Sequence, residues 1–222
     1  MAQVVIGVRG GRDAKSRCEP PLAPAQRARL VEAMLVDMME VVLGTPDVRR
    51  LWVVTPTRGL ALLAEGYSAQ VVWQTGYGGL NAGFALALAA IADQATDEPI
   101  ALLPGDLPLI KSADLEAALA LARKHDVVLA PAIADGGTGA VVMRGGVRLP
   151  PSFGPDSLAR HAAIADTLGL SHTVLAASSL GLDLDRPADF PAILALGPCT
   201  RTARRLRAWL PGTRAGNSRS RK

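Results

Sequence analysis

Short apolar runs that favour β-strands alternate along this chain with longer runs of helical periodicity. The predicted strands cover residues 3–8, 51–55, 70–74, 99–103, 126–130, 139–143 and 181–184. The predicted helices cover residues 25–43, 80–93, 112–124, 156–168 and 187–195. Because this alternation is typical of βαβ crossovers, it predicts an α/β fold. Helices should cover both faces of a mostly parallel, Rossmann-like sheet, which gives three layers.

The predicted strand at 100–103 is apolar at every position, as expected for a strand that is covered on both faces. Hydrophobic residues make up 49% of the chain and aromatic residues 4%, which predicts a core of Ala, Leu and Val and excludes a disordered chain. In open α/β sheets, ligands bind outside the carboxyl ends of the strands. The polar segments that follow the predicted strands are Arg9–Arg17, Thr55, Gln74–Asn81, Asp106, Asp135–Thr138 and Asp183–Arg186.

The C-terminal segment 201–222 differs from the rest of the chain in charge. It holds eight of the 24 Lys and Arg residues and no Asp or Glu, so the remaining residues carry more acidic than basic groups despite the net charge of +4. We therefore expect a single domain over residues 1–200 and a basic, flexible tail over 201–222. We assign the tail no function and expect no nucleic-acid partner.

The chain shows no sequence signal for export or membrane insertion. Its longest apolar run, residues 83–92, is too short to span a bilayer, and the residues after Met1 do not have the order of a signal peptide. The two cysteines, Cys18 and Cys199, have no metal-binding spacing. These observations predict a cytoplasmic protein without a membrane partner, and leave open whether it forms a homodimer.

A glycine-rich segment, GGRDAKSR at residues 10–17, follows the first predicted strand. Glycines leave backbone N–H groups accessible to phosphate oxygens, and Lys15 and Arg17 add cationic donors. The segment is not a Walker A loop, because Ala14 stands where that motif requires a glycine. The alternative is an ordinary surface turn, but the position after a strand favours phosphate binding.

Three aspartates are candidate magnesium ligands. Asp106 follows the apolar strand within LPGDLPL at 103–109, and strand alternation would place Asp183 and Asp185 on one face. Carboxylates on the same face repel each other unless a cation lies between them. Mg²⁺ takes one or two carboxylates and completes its shell with water and phosphate oxygens. The alternatives are a turn residue at Asp106 and a helix cap at Asp185.

Two further glycine-rich segments point to anion binding. Residues 136–139 allow close approach of the backbone to a ligand, and Ser157 lies at a predicted helix N-terminus, where free N–H groups bind anions. His161 follows Ser157 by one helical turn, but the sequence has no strained turn around the serine, so we reject a nucleophile–base pair. We expect His161 to pack on, or hydrogen-bond to, the neighbouring loop.

The stretch before the third predicted helix, residues 76–81, is a glycine-rich helix entry. Its Asn81 could contact a nucleobase or ribose through its amide, since that group both donates and accepts. Capping of the helix by Asn81 is the alternative at this position.

Taken in order, these segments resemble the guanylyltransferases of deazaflavin coenzyme F420 biosynthesis, the CofC/FbiD family. The resemblance spans roughly residues 4–190. The segments that carry it are AKSR at 14–17, GLN at 79–81, PGDLPL at 104–109, DGGT at 135–138, FGP at 153–155 with Ser157 and His161, and LDLD at 182–185. The family is related to the MobA-like transferases, so the resemblance implies a nucleotide-diphospho-sugar transferase type of fold.

The resemblance implies transfer of GMP from GTP to 2-phospho-L-lactate, phosphoenolpyruvate or 3-phosphoglycerate, with Mg²⁺ and release of pyrophosphate. The implied catalytic residues are Lys15, Arg17 and Asp106. The implied nucleotide-binding residues are Arg9, Gly10, Lys15, Thr55, Gly79 and Asn81. The implied acceptor-binding residues are Thr138, Gly154 and Ser157, and the implied metal ligands are Asp106, Asp183 and Asp185.

The chain departs from the family pattern at three positions. Arg9 stands where the family has lysine, Gly139 where it has asparagine, and Asp156 where it has glycine. A carboxylate at Asp156 should disfavour an anionic acceptor unless it points away as a helix cap. Two other functions stay open at this point: a MobA-like transferase acting on a pterin or sugar phosphate, and a non-catalytic nucleotide-binding protein.

Overall fold

A computed structural model describes residues 1–11, 13–76, 78–94, 97–133, 136–176 and 178–210. In this part of the chain, seven strands form one sheet in the order β3-β2-β1-β4-β6-β5-β7. The strands are β1 (Ala2–Gly7), β2 (Val48–Thr55), β3 (Gln70–Trp73), β4 (Ile100–Pro104), β5 (Val127–Pro131), β6 (Thr138–Met143) and β7 (His172–Val174).

The sheet is mostly parallel, as the sequence predicts. Parallel pairs join β1 to β2 and β4, β2 to β3, and β5 to β7. Strand β6 runs antiparallel to both of its neighbours, β4 and β5. The carboxyl ends of β1, β2, β3 and β4 therefore meet at one edge, where ligands of such sheets bind.

The described residues form seven α-helices, of which the last two follow β7. They are α1 (Pro24–Gly44), α2 (Arg58–Gly66), α3 (Gly79–Ala92), α4 (Ser112–Leu121), α5 (Ser157–Thr167), α6 (Phe190–Leu196) and α7 (Arg201–Trp209). Apolar side chains of α1, α2, α4, α6 and α7 cover one face of the sheet, and those of α3 and α5 cover the other. The predicted three-layer α/β architecture is thereby confirmed. None of the described helices is long and apolar enough to cross a bilayer.

The predicted strand at 181–184 is wrong. This segment does not pair in the sheet but crosses the ends of other strands. Ile133 N–H donates to Gly181 O (3.0 Å), and Leu184 N–H donates to Asp106 O (3.0 Å). The short edge strand is β7 instead. The face shared by Asp183 and Asp185 therefore cannot be derived from strand alternation, although the crossing does bring both residues to the end of β4.

The first part of the predicted tail is helical in the structure, because residues 201–209 form α7 and pack on α1. Thr202, Ala203 and Leu206 are buried. The carboxylate of Asp37 in α1 accepts from the backbone N–H groups of Arg201 (2.8 Å) and Thr202 (2.9 Å). An anion at a helix N-terminus satisfies the first N–H groups and the helix dipole, which explains why this basic segment is held. Residues 211–222 of the predicted tail lie outside the described residues.

We expect Asp37→Ala to lower the free energy of unfolding by about 2 kcal/mol, because it removes a buried charged acceptor from the start of α7. Glu40→Ala is the matched control on the same helix. It removes an ion pair with Arg201 that is about half exposed on both sides, and should cost less than about 1 kcal/mol. Urea unfolding of both variants measures the difference, and equal losses would contradict the role given to Asp37.

Candidate active site

A cleft of about 930 Å³ opens at the edge where β1, β2, β3 and β4 end. Its lining comes from the segment after β1, from the exits of β2, β3 and β4, from the crossing segment near residue 185, and from the first turn of α3. The lining residues that the sequence predicts for the site are Arg9, Gly10, Lys15, Arg17, Asp106 and Asp185. Predicted site residues from three separate segments thus share one cavity.

Lys15 connects these three segments through its ammonium group. Its Nζ lies 2.9 Å from Asp106 Oδ2 and 2.6 Å from Asp185 Oδ1. Burial alone would lower the pKa of Lys15, but the two carboxylates raise it above its ordinary value. Burial would likewise raise the pKa of Asp185, but the charge of Lys15 lowers it below its ordinary value. Lys15 and Asp185 are therefore both ionised at neutral pH.

Two glycines allow the ends of β1 and β4 to meet beside this cluster. Gly105 N–H donates to Gly7 O at 2.8 Å, and a Cβ at Gly105 would lie 2.6 Å from the Val8 Cβ. A Cβ at Gly7 would lie 2.5 Å from Leu80 Cδ1 of α3. The small residues thus bring Asp106 next to the Lys15 loop, and bring α3 down onto β1.

The carboxylates of Asp106, Asp183 and Asp185 are neighbours but do not form a ready three-ligand centre. Burial, together with the charges of Asp106 and Asp185, raises the pKa of Asp183 to about 6. Within the described ranges, no set of three His, Cys, Asp or Glu side chains is arranged to hold a metal ion. Instead, Lys15 lies between Asp106 and Asp185. Arg17, which is largely exposed, reaches within 3.6 Å of Asp185 Oδ2.

A second polar cluster, consisting of Thr138, Ser157 and His161, lies beneath the loop that precedes α5. Ser157 Oγ donates to Thr138 Oγ1 (3.0 Å), and Thr138 Oγ1 is 2.9 Å from His161 Nδ1. Ser152 N–H donates to His161 Nε2 (2.9 Å), so the proton of the neutral ring is assigned to Nδ1. The predicted hydrogen bond of His161 to the neighbouring loop is confirmed. The serine hydroxyl is bonded to Thr138, which argues against a nucleophile–base pair.

The direction of β6 places the second cluster at the edge of the sheet that Asp106 follows. Leu102 of β4 pairs with Val141 of β6 in antiparallel sense. Because β6 begins at Thr138, this residue lies at the edge where β4 ends. The predicted acceptor residues therefore lie at the same sheet edge as the cleft, although they do not line it. The third of them, Gly154, is exposed on the loop above.

The remaining predicted nucleotide residues make contacts within the protein. Asn81 Nδ2 donates to Phe153 O (3.0 Å), and Phe153 N–H donates to Asn81 Oδ1 (2.7 Å). Thr55 is fully buried, and its Oγ1 accepts from Thr57 N–H at 3.1 Å. Gly79 has a φ of 72°, and its carbonyl accepts from Gln74 Nε2 at 2.8 Å. Ligand contact by Thr55, Gly79 and Asn81 stays a prediction.

Trp73 and Thr57 are two of the cleft-lining residues that were not predicted from the sequence. Trp73 ends β3 with 48% of its surface exposed, and Thr57 holds the N–H of Gly10 through its Oγ1 at 3.0 Å. An exposed tryptophan at the carboxyl end of a strand is a signal that the sequence does contain, since a ring there offers a stacking surface to a base. Thr57 has no comparable signal, because its partner Gly10 lies 47 residues away.

The structure shows the surroundings of two departures from the family pattern, Gly139 and Asp156. A Cβ at Gly139 would lie 1.7 Å from Leu180 O, so a side chain here would collide with the backbone. Asp156 holds the N-cap position of α5 with a φ of 53° and makes no capping hydrogen bond. Its Oδ1 lies 3.2 Å from the position of a Cβ on Gly136, so the carboxylate faces that loop and does not cap the helix. Asp135, which begins the same predicted polar segment, lies outside the described residues.

Comparisons with known proteins identify the family of the chain. The family model described as "Guanylyl transferase CofC like" matches residues 2–211. The chain belongs to this family. A 3-phospho-D-glycerate guanylyltransferase from Phenylobacterium zucineum is 49% identical over 203 residues, covering 90% of this chain and 93% of that protein. A phosphoenolpyruvate guanylyltransferase from Conexibacter woesei is 32% identical and covers 85% of each chain.

The fold is shared with solved transferase structures. A putative nucleotide-diphospho-sugar transferase from Desulfovibrio desulfuricans superposes with a TM-score of 0.73 at 16% identity, covering 94% of this chain and 95% of that one. At this identity the likeness supports the fold alone. The nucleotide-diphospho-sugar transferase type of fold predicted for this CofC-like chain is confirmed.

The burial of His161 predicts a titration that NMR can observe. Burial, assisted by the charge of Arg160, lowers the pKa of His161 from 6.5 to about 4. Because unfolding then takes up a proton, stability should be lost as pH falls from about 6.5 towards 4. The imidazole signal, assigned by its loss in His161→Gln, should keep its neutral shift down to about pH 5. A midpoint near 6.5 would contradict the assigned hydrogen bonds.

Proposed function

We propose that this CofC-like protein transfers GMP from GTP to a phosphorylated three-carbon acid and releases pyrophosphate, in the biosynthesis of coenzyme F420. The observation that carries the proposal is the meeting of Lys15 and Asp106 in the cleft of a chain that matches the family model over residues 2–211. The name of the Phenylobacterium relative favours 3-phosphoglycerate as the acceptor, ahead of phosphoenolpyruvate and 2-phospho-L-lactate.

The reaction needs positioning and charge neutralisation more than a nucleophile from the protein. An oxygen of the acceptor phosphate bonds to the α-phosphorus of GTP as the bond to the bridging oxygen breaks, and pyrophosphate leaves. No covalent enzyme intermediate is required. Arg9, Lys15 and Arg17 supply cations to the triphosphate, and the backbone of Gly10 lines the same wall of the cleft.

The donor set of the site suits magnesium. Mg²⁺ prefers oxygen ligands and takes one or two carboxylates, and the side chains of Asp106 and Asp185 keep 25% and 36% of their surface exposed. Asp106 would hold the ion with help from Asp185 or Asp183. When bound, the ion would neutralise charge on the triphosphate oxygens. The ammonium of Lys15, which lies between two of these carboxylates, would then face the phosphates.

The acceptor would bind at the loop before α5. Thr138 Oγ1 accepts from Ser157 and from His161, so its own proton is the donor that the cluster leaves for a ligand. Gly154 and the N-terminus of α5 would add backbone N–H groups for the phosphate or carboxylate of the acceptor.

The cytoplasmic location and a homodimer stay predictions beside this proposal.

A product assay with GTP, Mg²⁺ and each of the three phospho-acids tests the proposal directly. Mass spectrometry should detect a guanylylated acid. Asp106→Asn should lower kcat/KM by about 10² or more, because it removes the metal's main anchor. Asp47→Asn, at a surface pair with Arg123, is the control and should leave the rate unchanged. If the protein binds GTP but makes no product with any acceptor, the proposal is rejected in favour of a non-catalytic nucleotide-binding protein. Product only with a pterin or sugar phosphate would indicate a MobA-like enzyme.

Asp156 should influence which acid is used, because its carboxylate stands at the predicted acceptor loop. We expect Asp156→Gly, which restores the family residue and suits a φ of 53°, to change the ratio of kcat/KM among the three acids. All three acids carry one phosphate and one carboxylate, so the acid that places one of these groups nearest to residue 156 should gain most. Unchanged ratios would show that this carboxylate does not act on the acceptor.

A further inference from the structure

The first turn of α3 touches two different parts of the proposed site. Leu80 lines the cleft, and the next residue, Asn81, turns to the opposite side and binds the peptide of Phe153. Asn81 donates to the carbonyl and accepts from the N–H of the same residue. This is the pair of bonds that a neighbouring strand would make, so Asn81 replaces a β-partner for this stretch of loop.

Asn81 binds the loop at residues 152–157, the acceptor loop. Other side chains hold this loop as well. His161 Nε2 accepts from Ser152 N–H at 2.9 Å. The guanidinium of Arg160 donates to Ser152 O, Ser152 Oγ and Pro155 O. Both of these residues lie on α5, on the far side of the loop from α3. Asn81 therefore ties the acceptor loop to α3, whose first turn lines the cleft.

Aromatic packing fixes the same point of the loop. The ring of Phe153 is buried, with its centroid 4.9 Å from that of Phe84 on α3 and 5.0 Å from that of His161 on α5. The Phe153 peptide next to the ring is thus held in one place, and its two polar groups point at Asn81. If Asn81 were removed, a simple rotation of the loop could not bring the N–H and carbonyl groups of Phe153 to another partner.

We propose that Asn81 is a positioning residue that sets the acceptor loop and couples it to the nucleotide cleft through α3. The proposal rests on the proposed function. It assigns to Asn81 a role different from the nucleotide contact predicted from the sequence. Because α3 carries Leu80 into the cleft and Asn81 to the acceptor loop, a shift of the helix on nucleotide binding would move the acceptor loop with it.

Kinetics of Asn81→Ala separate the two roles. Losing two hydrogen bonds to a partly buried peptide should raise the acceptor KM about tenfold or more. The Kd for GTP, measured by calorimetry without acceptor, should stay within about twofold. Leu86→Gln, at an exposed position on the same helix, is the matched control and should leave both constants unchanged. Asn81→Ser, whose hydroxyl is too short to reach both groups of Phe153, is a second variant with the same expected result.

Hydrogen exchange tests the same contact without activity. The amide of Phe153 should exchange at least about tenfold faster in Asn81→Ala than in the wild type or Leu86→Gln. A GTP Kd that weakens while the acceptor KM stays constant would overturn the proposal and support a nucleotide contact. Unchanged exchange at Phe153 would overturn it as well. A wild-type protein that makes no product with any phospho-acid would instead reject the proposed function, while the exchange result would still judge the contact.

Discussion

The ion pairs of Lys15 with Asp106 and Asp185 are the interaction on which the rest of the site depends. They join residues from the loop after β1, the exit of β4 and the crossing segment near residue 185, which are far apart in the sequence. Lys15 itself has a φ of 52°, a backbone conformation that costs free energy for a residue with a side chain. The ion pairs with the two carboxylates offset that cost. The conformation of the loop and the charge balance of the cleft therefore depend on each other.

The parts of the fold that follow from local pattern could be predicted from the sequence. Buried parallel strands are apolar on both faces, and this pattern alone predicts that Lys15 and Asp106 follow strands of one sheet. The segment 181–184 failed because its alternation of leucine and aspartate imitates a half-buried strand. Its backbone hydrogen bonds go instead to Ile133 and Asp106, which lie just beyond the ends of strands. Helix α2 was missed because it has only nine residues and contains glycine near both ends.

Other features depend on partners that lie far along the chain. Asn81 and Phe153 are 72 residues apart, and nothing local distinguishes an amide that binds a loop from one that binds a base. The sequence of α7 is rich in arginine, so it does not reveal that Ala203 and Leu206 are buried. It also does not reveal the anion at the start of the helix, because Asp37 is 165 residues away from Thr202. Polar residues after the strands were thus correctly placed at one edge of the sheet. Which of these residues support a loop and which are free to contact a ligand could be judged only from the tertiary structure.

The contact between Gly139 and Leu180 has a consequence for how such a chain can diverge. A side chain at 139 would need the carbonyl of Leu180 to move, and that carbonyl begins the segment leading to Asp183 and Asp185. Positions 139 and 180–181 are therefore epistatic. A lineage with glycine at 139 could gain a larger residue there only together with a new path of this segment. If residue 139 or the segment at 180–181 alone were exchanged between homologues, the carboxylates of Asp183 and Asp185 would be displaced. This would happen before any contact with the acceptor was altered.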